Sequence, residues 1–235
     1  MYDESRYEIQ TGNSSTSLAS CLTGVYWWMT FALLVSGLSA YLVGTSPELT
    51  KMLVRNPGVF WVLVIVEFVM VIGITAGINK LSAATATALF ILYAAVNGLT
   101  LSVIFMVYTL GSIAVTFAVT AGTFGAMAVI GTVTKKDLTS FGNLLFMALI
   151  GLIIASVVNF FWTNEILYWV CTYAGILIFV GLTAYDAQKI KKMYLNAGTD
   201  NPETVRKIAV IGALQLYLDF VNLLLYLLRI FGRRR

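Results

Sequence analysis

Residues 208–228 read IAVIGALQLYLDFVNLLLYLL. This run holds no lysine or arginine and a single carboxylate, Asp219. Its length matches the roughly 20 residues that one helical crossing of a bilayer core requires. Gln215, Asp219, Asn222 and Tyr226 follow one another at spacings of four, three and four, so they share one face of a helix. The other face is almost entirely Leu, Ile and Val. A carboxylate at mid-membrane depth costs about 3 kcal/mol on insertion scales, so the stripe must turn toward other helices or an internal path. The run is therefore expected to be the most enclosed helix of a membrane bundle.

The rest of the chain repeats the pattern. Of 235 residues, 59% are hydrophobic and 11% charged, against about a quarter charged in a soluble domain, so lipid must be the main solvent. Spans are expected at Gly24 to Gly44, Val59 to Ile78, Ala84 to Met106, Ile113 to Val133, Leu144 to Trp162, Leu167 to Asp186 and Ile208 to Leu228. This gives an all-α, polytopic transmembrane bundle of seven helices over residues 24–228. A polar segment, 1–23, precedes it and a basic tail, 229–235, follows. The first 20 residues lack the basic start and apolar centre of a cleaved signal, so the first span is expected to serve as the signal. The connections from Val107 to Ser112 and Thr163 to Ile166 are short, which predicts that the third and fourth spans, and the fifth and sixth, are antiparallel neighbours. Small residues four apart, Gly73 and Gly77, Ala121 and Gly125, Gly122 and Ala126, suit close helix approach.

Charge fixes an expected orientation. Arg6, Lys80, Lys135, Lys136, Lys189, Lys191, Lys192, Arg206 and Lys207 fall on one side, whereas the opposite loops hold Lys51 and Arg55. The basic side, with the N-terminus, is expected to face the cytoplasm. Arg229, Arg233, Arg234 and Arg235 join the opposite side if the seventh segment crosses fully, and stay with the first group if it is re-entrant. The basic residues are scattered at span ends, which argues against a nucleic-acid partner. The absence of histidine removes the Ser-His-Asp and Cys-His triads and the commonest zinc ligand. Cys21 and Cys171 read as small core residues, with a spacing that suits neither zinc nor a disulfide framework. No cofactor is expected.

Three carboxylates lie within apolar runs: Glu67 in the second, Asp186 at the end of the sixth, and Asp219 in the seventh. Asn97 and Asn159 are single polar residues and read as interhelical hydrogen-bonding groups. Gly198 is a plausible helix stop, and Asp200, Asn201, Pro202 and Glu203 form a helix start. Counting from those ends, Asp186 and Asp219 differ in depth by roughly 8 Å at 1.5 Å per residue, close enough to meet with modest tilt. Two facing carboxylates in low dielectric cannot comfortably both ionise, so the pair should share a proton, lie within hydrogen-bonding distance, and form a potential cation site.

The strings Leu182 to Ile190 (LTAYDAQKI) and Gly212 to Leu223 (GALQLYLDFVNL), then Leu227 to Gly232 (LLRIFG), resemble the C-terminal signature of the Bax inhibitor-1 family. The likeness extends over all seven spans, including Gly131 to Asn143 (GTVTKKDLTSFGN), and the sequence closely resembles bacterial inner-membrane members. The resemblance implies six helices surrounding a central C-terminal helix and a proton-sensitive calcium leak gated by paired aspartates, here Asp186 and Asp219, which would bind calcium transiently. It implies accessory roles along the cation path for Glu67 and, with the polar stripe, Gln215, Asn222 and Tyr226. A basic latch near the end of the second helix falls to Lys80, although the stretch Gly77 to Lys80 is not an evident match. The family is also linked to modulation of a membrane-anchored ATP-dependent protease, so a non-conducting regulator is the alternative. An intramembrane aspartyl protease is a third reading. It lacks support because such enzymes carry Gly-x-Gly-Asp at the second aspartate, and Leu216-Tyr217-Leu218 precedes Asp219 here. No enzymatic activity is expected.

Overall fold

Short polar residues set the helix starts. Ser82 and Thr109 each accept the amide N–H three residues on, from Thr85 at 3.1 Å and Ser112 at 3.4 Å. Asn164 accepts from Leu167 at 3.0 Å, and Asn201 from Glu203 at 3.0 Å just ahead of Pro202. In the computed structural model of the protein, the described backbone comprises residues 4–46, 48–49, 51, 55–197 and 201–235, with side chains from residue 18 onward except Pro57. Gly198 and Asp200, read above as helix-end signals, lie outside the described residues.

Among the described residues, seven helices are long and apolar enough to cross a membrane. They are Leu18–Thr45, Gly58–Gly77, Ala83–Val107, Leu110–Val133, Thr139–Phe161, Glu165–Ala197 and Pro202–Phe231, numbered here as the first to seventh spans. The first continues a helix that begins at Glu4. The third is interrupted at Ser102, whose hydroxyl donates to Leu99 O at 2.6 Å. The second span has a mean hydropathy of 2.6 with 6% of its central window buried, so its apolar side chains need lipid rather than a protein core.

The seventh span is the most enclosed, with 78% of its central window buried against 44% for the sixth. It packs against the first, third, fourth and sixth spans. The second and fifth stand outside it, against the third and the sixth respectively. Among the described residues four helices rather than six therefore pack closely on the C-terminal helix. The fifth and sixth spans are neighbours as their short connection requires, but the third and fourth are not. At that connection Tyr108 is extended and pairs with Arg234 in an isolated β-bridge. Thr109 N–H donates to Arg233 O and Arg235 N–H to Val107 O, both at 3.0 Å. With the connection held extended, the third span packs on the first and the fourth packs on the sixth.

The bridge also locates the tail. The seventh helix, 30 residues or about 45 Å long, crosses the bundle completely and delivers residues 232–235 to the end opposite its own start. Its four arginines thus join Lys51 and Arg55, and the re-entrant alternative is not the one adopted.

Close helix approach occurs at glycines other than the four-apart pairs. A Cβ on Gly131 would lie 2.1 Å from Ala184 O, and one on Gly98 would lie 2.5 Å from Ser36 O, whereas Gly73, Gly122 and Gly125 face open space. Spacing alone does not reveal which face of a helix meets a neighbour.

Candidate functional site: an intramembrane carboxylate pair

Asp186 and Asp219 stand on the two most extensively packed helices. Asp186 lies eleven residues before Ala197, and Asp219 seventeen after Pro202, so Asp219 is the deeper by about 9 Å of helix rise. The two helices that carry them pack directly against each other. No hydrogen bond joins them: Asp219 Oδ2 is buried without a hydrogen-bond partner, and Asp186 instead has Lys189 Nζ at 4.0 Å, one turn along its own helix. The expected hydrogen bond between the pair is therefore not formed, and the two residues stand on helices that pack together. Asp219 is 4% exposed and Asp186 14%, so one carboxylate is sealed and the other is in partial reach of solvent.

The backbone around Asp186 is held by its neighbours on both sides. Gly131 lies against the Ala184 carbonyl, and the Tyr185 ring fills the space a side chain at Gly142 would need. Gln188 accepts from Leu138 N–H at 2.9 Å and donates to Lys136 O at 2.8 Å, which clamps the loop between the fourth and fifth spans. Lys191 donates to Thr132 O at 2.9 Å and Lys192 to Asp137 Oδ1 at 2.5 Å. The Lys192 ammonium and the Thr139 hydroxyl hold the Asp137 carboxyl below the usual carboxylate range. These contacts fix the sixth helix where it emerges from the bundle and so fix the height of Asp186.

The other predicted site residues do not form one continuous path with the pair. Gln215 Oε1 is buried without a partner, and Asn222 Nδ2 donates to Leu218 O of its own helix at 2.8 Å. Tyr226 stacks on Phe179, with ring centroids 5.9 Å apart, and lies under Arg229. Lys80 is exposed in the turn after the second span and forms no ion pair among the described residues; the cation beside Asp186 is Lys189. Asn159 accepts from Asn164 N–H at 2.9 Å, so it orders the connection to the sixth span and does not join helices inside the membrane.

Glu67 belongs to a second network. Its Oε2 accepts from Asn97 Nδ2 at 2.9 Å and its Oε1 from Thr100 Oγ1 at 2.5 Å. Asn97 Oδ1 in turn accepts from the Tyr217 hydroxyl at 2.8 Å, and Tyr217 shares a 2.6 Å hydrogen bond with Ser36. Four helices meet there. The seventh span thus carries polar groups on two faces, with Tyr226 of the stripe against the sixth helix and Tyr217 toward the first and third. Sequence reading missed Tyr217, Ser36 and Thr100. A tyrosine two residues from Asp219, about 200° round the helix from it, was the available signal.

A bundle of seven membrane-length helices, with one carboxylate buried on the seventh and another largely buried on the adjoining sixth, defines a polytopic membrane protein. The chain belongs to the Bax inhibitor family: the family model described as "Inhibitor of apoptosis-promoting Bax1" matches residues 18–235. It is 51% identical to the inner membrane protein YbhL of Escherichia coli over 93% of each chain. It is 45% identical to a protein of Borreliella burgdorferi, over 91% of this chain and 92% of that one, and 41% identical to one of Rickettsia prowazekii, over 90% and 88%.

Proposed function

We propose that the protein is a pH-sensitive cation leak of the bacterial inner membrane, with calcium as permeant ion and Asp186 and Asp219 as its gate. The observation that carries this reading is a sealed carboxylate, Asp219, whose Oδ2 lacks a donor, on a helix packed against the one that carries the partly exposed carboxylate of Asp186. A charge in that position calls for a proton or a cation, since an unpaired buried carboxylate is strongly unfavourable. With one proton the two groups can bridge the sixth and seventh helices. With none they repel and attract a cation between them.

The test is calcium flux into vesicles carrying the purified protein, followed across pH. Wild-type flux should change with pH, Asp186→Asn and Asp219→Asn should flatten that change, and Glu67→Gln should alter flux less. Full pH dependence in both aspartate variants would sink the mechanism. A non-conducting regulator of another membrane protein, such as a membrane-anchored protease, predicts no flux in these vesicles at any pH.

A further inference from the structure

The first and fourth spans stand apart and leave a groove of about 400 Å³ between them, walled by Tyr26, Met29, Phe124, Gly125, Ala128 and Thr132. Val129 and Val133 on its rim are 62% and 70% exposed, so it opens sideways onto the membrane-facing surface. At Gly125 a Cβ would meet nothing within 4 Å, and the wall there is bare. From Phe124 to Thr132 the groove runs about 12 Å, close to the roughly 15 Å hydrocarbon depth of one leaflet.

Its mouth is basic. Thr132, the last polar residue of the groove, has its carbonyl bound by Lys191 Nζ at 2.9 Å, and the exposed Lys135 and Lys136 follow directly after the fourth helix. Among the described residues, the ion pairs join Lys192 to Asp137 and Lys189 to Asp186, so Lys135, Lys136 and Lys191 have no carboxylate partner. An apolar slot close to one leaflet deep beneath three ammonium groups that lack a carboxylate partner among the described residues is complementary to an amphiphile with a negative head. We propose that the groove holds one acyl chain of an anionic phospholipid whose phosphate lies against Lys135, Lys136 and Lys191.

Native mass spectrometry of the full chain, released from bilayers of mixed phosphatidylglycerol and phosphatidylcholine, tests this through the lipid that stays bound. Wild type should retain phosphatidylglycerol in preference. Lys135→Gln with Lys136→Gln should weaken retention about fivefold per lysine. Gly125→Leu, which fills the groove, should abolish it, whereas Gly151→Leu, on an equally open stretch of the fifth span, should leave it unchanged. Equal retention of the two lipids overturns the proposal, as does loss in the lysine variant without loss in Gly125→Leu. A dimer that dissociates in Gly125→Leu would assign the groove to a second copy of the chain and overturn it as well. If Gly125→Leu does not assemble, the lysine variant decides alone, and its unchanged retention rejects the site.

Discussion

Tyr217 is fully buried, edge-on to Phe90 and Tyr93, and its hydroxyl ties Asn97 to Ser36. Interhelical hydrogen bonds in membranes contribute about 0.6 kcal/mol each on average, with a maximum near 1.7. Tyr217→Phe removes two and leaves the Asn97 carbonyl without its donor, so it should destabilise the protein by about 1–2 kcal/mol in a reversible detergent unfolding titration. The double variant with Asn97→Ala should cost less than the sum of the singles, because the two residues share one bond; strict additivity would show that the network is not coupled. Asp219 should behave oppositely. Its Oδ2 has no donor, so Asp219→Asn should keep or raise the unfolding midpoint even though flux loses its pH response. A midpoint that falls by as much as in Tyr217→Phe would mean that Asp219 is structural.

At the scale of helices, the fourth and sixth spans meet where Gly131 presses on the Ala184 carbonyl, two residues before Asp186. A methyl group at Gly131 would overlap backbone, which cannot swing aside as a side chain can. Gly131→Ala should therefore cost about 1–3 kcal/mol, as overpacking does, whereas Gly122→Ala, facing open space, should be near neutral. Thermal unfolding of the two variants in one detergent checks this, and equal midpoints would refute the close contact. The sixth helix adds its own restraint outside the bundle, where Gln188, Lys191 and Lys192 hold the loop from Thr132 to Thr139. Residues in the recognisable LTAYDAQKI string thus divide their work, with Gln188 positioning the helix that carries Asp186.

For the whole molecule, an odd number of full crossings puts the start of the chain and its tail at opposite ends of the bundle. The side with Arg6, Lys80, the Lys135–Lys136 loop and the sixth-to-seventh connection holds nine basic residues and the other side six, once the tail arginines are included. The excess still favours the first side for the cytoplasm. Cysteine placed at Lys191 should react with a membrane-impermeant thiol reagent only after cells are opened, and cysteine at Arg235 in intact spheroplasts. The native Cys21 and Cys171 are buried and supply little background. Labelling of Lys191→Cys from outside would reverse the orientation, and labelling of both positions from one side would contradict the full crossing of the seventh helix.

Hydropathy and turn chemistry depend on neighbouring residues, and so the sequence alone determined seven apolar spans, their approximate limits, the Asn201–Pro202 helix start and the enclosure of the helix that carries Asp219. The motif strings determined the family. Which helices touch depends on faces and tilts that no local spacing records. Tertiary structure alone decided that the fourth span packs on the sixth, that Gly131 and Gly98 rather than Gly73 or Gly122 make the close approaches, and that four helices enclose the seventh. It likewise decided that Glu67 reaches Tyr217 through Asn97 while Lys80 stays in solvent, because a hydrogen bond between residues 120 positions apart exists only once their helices are packed.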